Sequence, residues 1–191
     1  MSESPPSVLG IVGSPRRQGN TEVLVDEVLQ GAEETGAQVE KVLLTRLKIT
    51  PCTACEACQE TGECVFSDDM ADLLEKMRRT QAWVLGTPVY WWGPSAQFKA
   101  FVDRWYSKIF LPADRDIFRA KRVILAIPLG DADVGVARHT VGMLTDALRY
   151  CQASLIATVL APGVNDAGDV RKYPQVLAAA RQAGREVLAN S

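Results

Sequence analysis

Residues 7–21, SVLGIVGSPRRQGNT, carry the strongest indication of the fold. Ser7 to Gly13 is a short, almost continuous apolar run, as expected for a strand that is buried on both faces of a parallel sheet. From Asn20 to about Gly36, apolar residues recur at spacings of four, and Gly36 stands where the C-cap of a helix belongs. A buried strand that leads directly into a helix predicts a βαβ unit.

The same alternation of strand and helix continues outward from this stretch. Further strands are predicted over residues 39–47, 81–86, 121–128 and 153–161. Further helices are predicted after Asp68 and Asp69, after Ser95, around Leu144 and over residues 173–189. Five strands alternating with five helices predict an α/β fold, a doubly wound parallel sheet with helices on both faces. No interdomain linker is visible, so residues 1–191 are expected to form a single domain.

The composition excludes several classes of function. The chain has 191 residues, 47% of them apolar, and a formal net charge of -2, as expected for one soluble globular domain. Because there is no basic run, a small molecule or another copy of the chain is a better partner than a nucleic acid or a membrane. The N-terminus lacks the basic and apolar segments of a secretory signal, which predicts a cytoplasmic, reducing location. His139 is the only histidine, which rules out zinc motifs that need a pair.

The loop after the first strand is a candidate anion site, because ligands of doubly wound sheets bind beyond the carboxyl ends of the strands. It joins a buried strand to a helix N-terminus, where free main-chain N–H groups and the helix dipole attract negative charge. The side chains of Ser14, Arg16, Asn20 and Thr21 add donors, and a terminal phosphate is the natural ligand. Neither a G-x-G-x-x-G motif nor a P-loop is present. The alternative is a polar turn in which Asn20 is a simple N-cap.

Three adjacent aromatic residues, flanked by prolines, follow the third strand. A buried core rarely contains such a run. The main-chain N–H groups of Val89, Tyr90 and Trp91 are expected to point at the edge of a heteroaromatic ring while an aromatic face stacks on it, which would suit a flavin. The alternative is that the aromatic residues form a subunit interface. The loop after the fourth strand, residues 128–133, is expected to form a third wall.

Four cysteines fall within thirteen residues, in a loop predicted over about residues 48–67. Their spacing is C-x2-C-x2-C-x5-C, at Cys52, Cys55, Cys58 and Cys64. Three closely spaced thiolates and a nearby fourth are typical of a 4Fe-4S site. Free or redox-active thiols and a zinc site are the alternatives. The fifth cysteine, Cys151, is interpreted as a core residue.

Several of these motifs together resemble those of one family. The segment Gly13-Ser-Pro-Arg-x-x-Gly-Asn-Thr21, the cysteine loop, the Asp-Asp-Met at 68–70 and the segment 86–95 are similar to those of the flavodoxin-like NAD(P)H-dependent FMN reductases, which include the iron-sulfur flavoproteins. The resemblance implies a flavodoxin-like fold. It implies FMN binding through Ser14, Arg16, Gln18, Asn20 and Thr21 at the phosphate and through Pro88, Val89, Tyr90 and Trp91 at the ring. It also implies that Cys52, Cys55, Cys58 and Cys64 would be the metal ligands.

The expected activity follows from this resemblance. It is that of an FMN-dependent oxidoreductase that takes a hydride from NAD(P)H and passes electrons to a quinone, a flavin or another small acceptor, directly or through a 4Fe-4S cluster. No side chain need act as an acid or base, since the cofactor supplies the chemistry. A homodimer or homotetramer is expected. The alternatives are a noncatalytic electron carrier and a small zinc-stabilised binding protein.

Overall fold

The computed structural model describes residues 7–111 and 115–189, and within these ranges five parallel strands form one sheet. The strands are β1 (Ser7–Val12), β2 (Gln38–Leu43), β3 (Ala82–Gly86), β4 (Arg122–Pro128) and β5 (Ser154–Ala161). The α-helices of the described ranges are α1 (Asn20–Glu33), α2 (Cys58–Thr61), α3 (Met70–Arg79), α4 (Ala96–Asp103), α5 (Arg138–Tyr150) and α6 (Pro174–Glu186). The strand order is β2-β1-β3-β4-β5, so the predicted α/β, flavodoxin-like doubly wound parallel sheet is confirmed.

The core consists of two apolar layers, one on each face of the sheet. Successive residues of a strand point to opposite faces, so that Leu9 of β1 joins the layer beneath α3, α4 and α5, whereas Val8 joins the layer beneath α1 and α6. The buried Trp83 lies in the first layer, and its indole N–H donates to the carbonyl oxygen of Met77 at 3.1 Å. Burial on both faces explains why the central strands read as continuous apolar runs.

Helices α1 and α6 cross at two glycines. A Cβ atom at Gly31 would lie 2.0 Å from the carbonyl oxygen of Arg181, and one at Gly184 would lie 1.9 Å from that of Val28. No side chain fits between backbones at these distances. The glycines therefore set how closely α6 covers α1.

The predicted boundaries are mostly correct, with local differences. Strand β2 ends at Leu43 because Leu44–Arg46 form a 3₁₀ turn, and the cysteine loop contains the short helix α2. The C-cap residue of α1 is Glu34 rather than the predicted Gly36, which lies in the turn after the helix with a φ of +89°, in the left-handed region that glycine favours. The interpretation of the N-terminus concerns residues that lie outside those described. In the described ranges, no helix has both the length and the apolar character needed to cross a membrane.

Candidate functional site

The loops that follow β1, β3 and β4 lie side by side at the carboxyl edge of the sheet. Main-chain hydrogen bonds continue beyond the strands: the Gly13 N–H donates to the Gly86 carbonyl oxygen at 2.8 Å, and the Val89 N–H to that of Pro128 at 3.2 Å. The hydroxyl of Ser95, which caps α4 as predicted, donates to the carbonyl oxygen of Gly13. The strand order reverses between β1 and β3, where doubly wound sheets bind their ligands.

A cleft of about 200 Å³ opens between these loops. It brings together residues that are far apart in the sequence, including seven of the predicted site residues. Its lining is Ser14, Arg16, Asn20, Thr21, Pro88, Val89, Tyr90, Pro128, Leu129, Gly130, Val164 and Asn165. None of these lining residues is acidic, and Arg16 is the only cation among them. The cleft is therefore suited to an anionic ligand.

The end of the cleft nearest α1 has several main-chain donors without acceptors. In the described chain, the N–H groups of Ser14, Gly19, Asn20 and Thr21 donate to no acceptor. The Thr21 hydroxyl has no hydrogen-bond partner among the described residues either, although Thr21 is only 1% exposed. Free N–H groups at the start of a helix, with the positive end of the helix dipole, bind phosphate.

Arg16 carries the charge of this end of the cleft. Its guanidinium donates to the carbonyl oxygen of Asn165 at 2.5 Å, and it forms no ion pair with any described residue. Its charge is therefore not neutralised by the protein. A phosphate would neutralise it.

Asn20 connects the first loop to the segment after β5. Its side-chain NH₂ donates to the carbonyl oxygen of Asp166 at 2.9 Å, and its side-chain oxygen accepts the N–H of Val170 at 3.0 Å. Gly19, not Asn20, is the N-cap residue of α1, so the interpretation of Asn20 as a simple N-cap is wrong. The Asn20 side chain therefore holds the segment after β5 in place, and the main-chain N–H of Asn20 stays free.

Gln18 gives the loop its shape from outside the cleft. Its φ of +51° is in the left-handed region, and its N–H donates to Glu22 at 2.7 Å. Glu22 also accepts from Lys41 at 2.9 Å. Burial alone would raise the pKa of Glu22, but the hydrogen bonds from Lys41 and the Gln18 N–H outweigh it, and the pKa lies below its ordinary value. A direct contact of the Gln18 side chain with a ligand stays a prediction.

The aromatic segment forms a tight turn. Tyr90 and Gly93 exchange main-chain hydrogen bonds at 2.8 and 3.0 Å, while Trp91 and Trp92 have φ values of +49° and +61°. Positive φ at both central residues is the type I′ geometry, which favours Asn-Gly, so two tryptophans there carry backbone strain of roughly 1–3 kcal/mol each. The Trp91 side chain is 91% exposed, so no core packing explains the strain.

Of the three main-chain N–H groups that were expected to face a ligand on this turn, two already have acceptors within the protein. The N–H groups of Val89 and Tyr90 already donate to carbonyl oxygens of Pro128 and Gly93, so the expectation that they point at a ring is wrong. The Trp91 N–H donates to no acceptor in the described chain. It is the one of the three that a ligand could use.

A second cavity, of about 190 Å³, continues the cleft towards the tryptophans. Both cavities are lined by Val89, Leu129 and Gly130, and the second is also lined by Trp91 and Trp92. Together they form a polar end beside α1 and a flatter, more open end beside aromatic side chains. Such a shape suits a molecule that carries a phosphate on one end and a planar ring on the other.

One wall of the cleft was not predicted from the sequence. Val164 and Asn165 follow β5, and the Asn165 side chain donates to the carbonyl oxygen of Gly130 at 3.1 Å. A Cβ atom at Gly130 would lie 2.4 Å from the side-chain oxygen of Asn165, so this contact depends on a glycine. The segment 162–166 follows the carboxyl end of a strand, which is the signal that could have identified it.

The four clustered cysteines line one small cavity, separate from the cleft. Cys58 is buried, Cys64 is half-buried, Cys52 and Cys55 are exposed, and all are free thiols. Burial raises the pKa of Cys58, and the proximity of the other three thiols raises it further. The spacing therefore brings the four side chains together. No group of three potential ligands in the described residues is arranged as a metal site, so a cluster stays a prediction.

A buried ion pair holds both ends of the cysteine loop. The Arg104 guanidinium donates to both carboxylate oxygens of Asp68, at 2.8 and 3.1 Å, and to the carbonyl oxygen of Thr50 at 2.7 Å. Asp68 in turn accepts the N–H groups of Thr50 and Met70, at 2.9 and 3.2 Å. Burial alone would raise the pKa of Asp68, but these bonds, with that of Arg104 the strongest, hold it below its ordinary value.

Cys151 lies at the end of α5 and is 4% exposed, which confirms its interpretation as a core residue. Burial raises its pKa to about 11. The thiol is therefore neutral at physiological pH.

Comparison with known proteins identifies the family. A family model described as NADPH-dependent FMN reductase matches residues 6–163. An iron-sulfur flavoprotein of Methanocaldococcus jannaschii is 43% identical over 97 residues, which are 51% of this chain and 50% of that protein. An iron-sulfur flavoprotein of Archaeoglobus fulgidus is 40% identical over 128 residues, 67% of this chain and 64% of that protein. The alignments thus span about half to two thirds of the length of these relatives.

A solved structure supports the same architecture. An NAD(P)H:quinone oxidoreductase from Methanothermobacter marburgensis superposes with a TM-score of 0.80 over 98% of both chains, at 22% identity. At that identity the likeness shows the fold alone. Because the family model spans well over half of the chain, and because the cleft lies where the fold places a ligand, this chain belongs to the NADPH-dependent FMN reductase family.

Proposed function

We propose that the cleft binds FMN, with the phosphate at Ser14, Arg16, Gln18, Asn20 and Thr21 and the ring at Pro88, Val89, Tyr90 and Trp91. The observation that carries this proposal is the cleft itself. It joins an uncompensated Arg16 and free main-chain donors at one end to an exposed aromatic turn at the other. The family of the chain supports the same ligand.

The phosphate end fits a dianion without rearrangement. Arg16 and the free N–H groups of the first loop offer charge-assisted hydrogen bonds, and no carboxylate lines the cleft to repel the ligand. Asn20 and Asn165 hold the segment after β5 in place by bonding main-chain groups on either side. The protein binds the phosphate by geometry that is present before the ligand arrives.

The ring end leaves one side of the ligand accessible. Trp91 is mostly exposed and its N–H is free, so the turn offers both a stacking face and one hydrogen-bond donor. FMN, when bound, would supply two-electron chemistry with NAD(P)H that no side chain of the cleft can supply. The residues of the turn orient the ring and leave room beside it for NAD(P)H and for a quinone, a flavin or another small acceptor.

A second part of the proposal concerns the cysteines. Cys52, Cys55, Cys58 and Cys64 would hold a 4Fe-4S cluster, which would supply one-electron transfer. The donor set fits, since four thiols line one cavity beside a buried arginine. Two relatives are named iron-sulfur flavoproteins, which supports the assignment. Free thiols on an enzyme that uses flavin alone are the competing possibility.

We further propose that the chain works as a single domain in a homodimer or homotetramer, in the reducing cytoplasm. The exposed aromatic turn is an apolar surface that a second copy could cover. Free cysteines suit a reducing compartment.

Anaerobic purification tests both cofactors together. The visible spectrum of the full chain, with assays of iron and acid-labile sulfide, is expected to show bound FMN and about four of each per chain for a 4Fe-4S site. Steady-state oxidation of NADH and NADPH is then measured with added FMN and with quinone, flavin or ferricyanide as acceptor. Turnover with at least one acceptor is expected.

Each outcome of this experiment separates the alternatives. Flavin bands without iron would overturn the cluster and leave the flavin enzyme. Bound flavin without turnover with any acceptor would indicate an electron carrier. A colourless protein that contains zinc would overturn the proposal for FMN and the cluster alike.

A further inference from the structure

One buried donor beside the cysteines has no acceptor. The Nε atom of Arg104 is buried and makes no hydrogen bond, although the residue is only 3% exposed. The other two guanidinium nitrogens of Arg104 both donate, one to Thr50 and Asp68 and the other to Asp68 alone. A buried N–H without a partner is unfavourable and is rare in native structures.

The position of Arg104 indicates what the missing acceptor is. Arg104 lines the same cavity as Cys52, Cys55, Cys58 and Cys64, in which no carboxylate or carbonyl takes the Nε–H. An arginine guanidinium stays protonated in proteins, and that of Arg104 forms a bidentate ion pair with Asp68. A positive charge therefore lies in the wall of the cavity that the four cysteines line.

We propose that Arg104 is a positioning residue for the cysteine site: it clasps the two ends of the loop, donates its Nε–H to a sulfur atom of the site and raises the reduction potential of the cluster. This inference rests on the proposed iron-sulfur function. Hydrogen bonds to sulfur and nearby positive charge favour the more negatively charged, reduced state of a cluster. Neither effect requires Arg104 to be a ligand.

The ion pair also contains an anion, Asp68, whose negative charge is expected to lower the reduction potential of the cluster. Asp68 is as deeply buried as Arg104, with a side-chain exposure of 3% for both, and its charge partly cancels that of Arg104. Substituting either residue breaks the ion pair between them, so both substitutions weaken the contacts that hold the ends of the cysteine loop. Removing Arg104 takes away positive charge, whereas removing Asp68 takes away negative charge. The two substitutions therefore separate a positioning and electrostatic role from a merely structural one.

The experiment compares full-length variants prepared anaerobically. Iron and sulfide content, the thermal melting temperature and the midpoint potential from a redox titration followed by EPR are measured for Arg104→Gln, Arg104→Lys and Asp68→Asn. Arg149→Gln is the control, because Arg149 pairs with Asp146 on the surface and both side chains are 76% exposed. Wild type is expected to contain the cluster.

The expected result is a pair of shifts with opposite signs. Arg104→Gln is expected to lower the midpoint potential, Asp68→Asn to raise it, and Arg149→Gln to leave it unchanged. Arg104→Lys keeps the charge but lacks Nε–H, so its potential should fall between those of Arg104→Gln and wild type. If Arg104→Gln folds without taking up iron, the same comparison is made between Arg104→Lys and Asp68→Asn, which should still differ in sign.

The outcomes that overturn the inference are distinct. Shifts of the same sign for the Arg104 and Asp68 variants, or no shift for either, would overturn it while the cluster stands. A potential for Arg104→Lys equal to that of wild type would overturn the hydrogen bond from Nε. A wild-type chain without iron and sulfide would overturn the proposed cluster and this inference together.

Discussion

At the scale of single residues, unsatisfied groups mark the candidate sites. Arg16 lines the cleft without a carboxylate partner, and the Nε–H of Arg104 is buried without an acceptor. The other two guanidinium nitrogens of Arg104 both donate to Asp68, in a buried bidentate pair. A folded protein leaves such groups open where a ligand completes them.

Arg16→Ala is expected to weaken binding of FMN but not of riboflavin. The lost charge-assisted hydrogen bond contributes about 1.5–3 kcal/mol, so the Kd for FMN should rise roughly 10- to 100-fold. Riboflavin lacks the phosphate and should bind both proteins equally. Titrations followed by flavin fluorescence measure this.

The matched control is Arg17→Ala, because Arg17 is exposed and does not line the cleft. It should leave both Kd values unchanged. Equal weakening of FMN and riboflavin by Arg16→Ala would place Arg16 away from the phosphate.

Glu22→Gln tests the pH dependence of the contacts that Glu22 makes with the loop after β1. The pKa of Glu22 is lower in the folded chain, so its stabilisation is fully present above the unfolded pKa of about 4.3 and is lost as the pH falls through the lower folded pKa. Above that range the variant should be less stable by about 1 kcal/mol. Melting temperatures of both proteins, measured by circular dichroism from neutral pH into the acid range, should therefore converge in acid.

Glu33→Gln on the same helix is the control, since Glu33 is exposed and its side chain makes no hydrogen bond in the described chain. Its melting temperature should follow wild type throughout. If the melting temperatures of Glu22→Gln and wild type differed by the same amount at every pH, the lowered pKa of Glu22 would be contradicted.

At the scale of the elements, one helix crossing and one turn have unusual geometry. Helices α1 and α6 approach at Gly31 and Gly184, where backbone meets backbone. The turn with Trp91 and Trp92 at its centre is strained, and it lies beside the candidate ring site. The close crossing stabilises the scaffold beneath the first loop, whereas the strained turn displays an aromatic side chain outside the core.

Gly184→Ala is expected to destabilise the fold by about 1–3 kcal/mol, because the added methyl group meets the Val28 carbonyl oxygen and the helices must separate. Gly142→Ala in α5 is the matched control, since a Cβ atom there meets nothing within 4 Å. It should stabilise the chain by about 0.5–1 kcal/mol through better helix propensity. Urea unfolding curves measure both, and a loss of stability in both variants would contradict the packing argument.

At the scale of the whole molecule, the sheet order decides which loops meet. The cleft is lined by the segments after β1, β3, β4 and β5, which span much of the chain. The cysteine cavity shares no lining residue with it. A ligand in the cleft would therefore hold the carboxyl ends of four strands together without contacting the cysteines.

FMN is expected to raise the melting temperature of the whole chain. At a concentration near 100 times Kd, binding adds about 2.7 kcal/mol, which for a chain of this size corresponds to roughly 5–10 °C. Riboflavin at the same concentration should give a smaller shift. Scanning fluorimetry measures both shifts.

Cys55→Ser is the control, because Cys55 is exposed and lines only the cysteine cavity of the two sites. FMN should raise the melting temperature of Cys55→Ser as much as that of the wild-type chain. Equal shifts with riboflavin and FMN would contradict binding of the phosphate in the cleft.

Local patterns predicted the parts of this molecule that local physics controls. The apolar run from Ser7, the spacing of four in α1, the N-cap at Ser95 and the positive φ at Gly36 all depend on neighbours within a few residues. The donors and aromatic groups in the loops could also be predicted, because they follow from the residue types alone. The directions of the Val89 and Tyr90 N–H groups could not be predicted, because their acceptors depend on how the turn closes and on where β4 ends.

The strands, the helices, the parallel sheet and the residue types in each loop were all predictable from the order of the amino acids, since periodicity and composition are local properties of the chain. Which residues meet depends on the folded chain. Arg16 bonds to Asn165, 149 positions away, and Arg104 bonds to Thr50 and Asp68, 54 and 36 positions away. These pairs exist because the strand order β2-β1-β3-β4-β5 and the packing of α4 bring distant segments together. No pattern of neighbouring residues carries that information, because it is set by the packing of the whole chain.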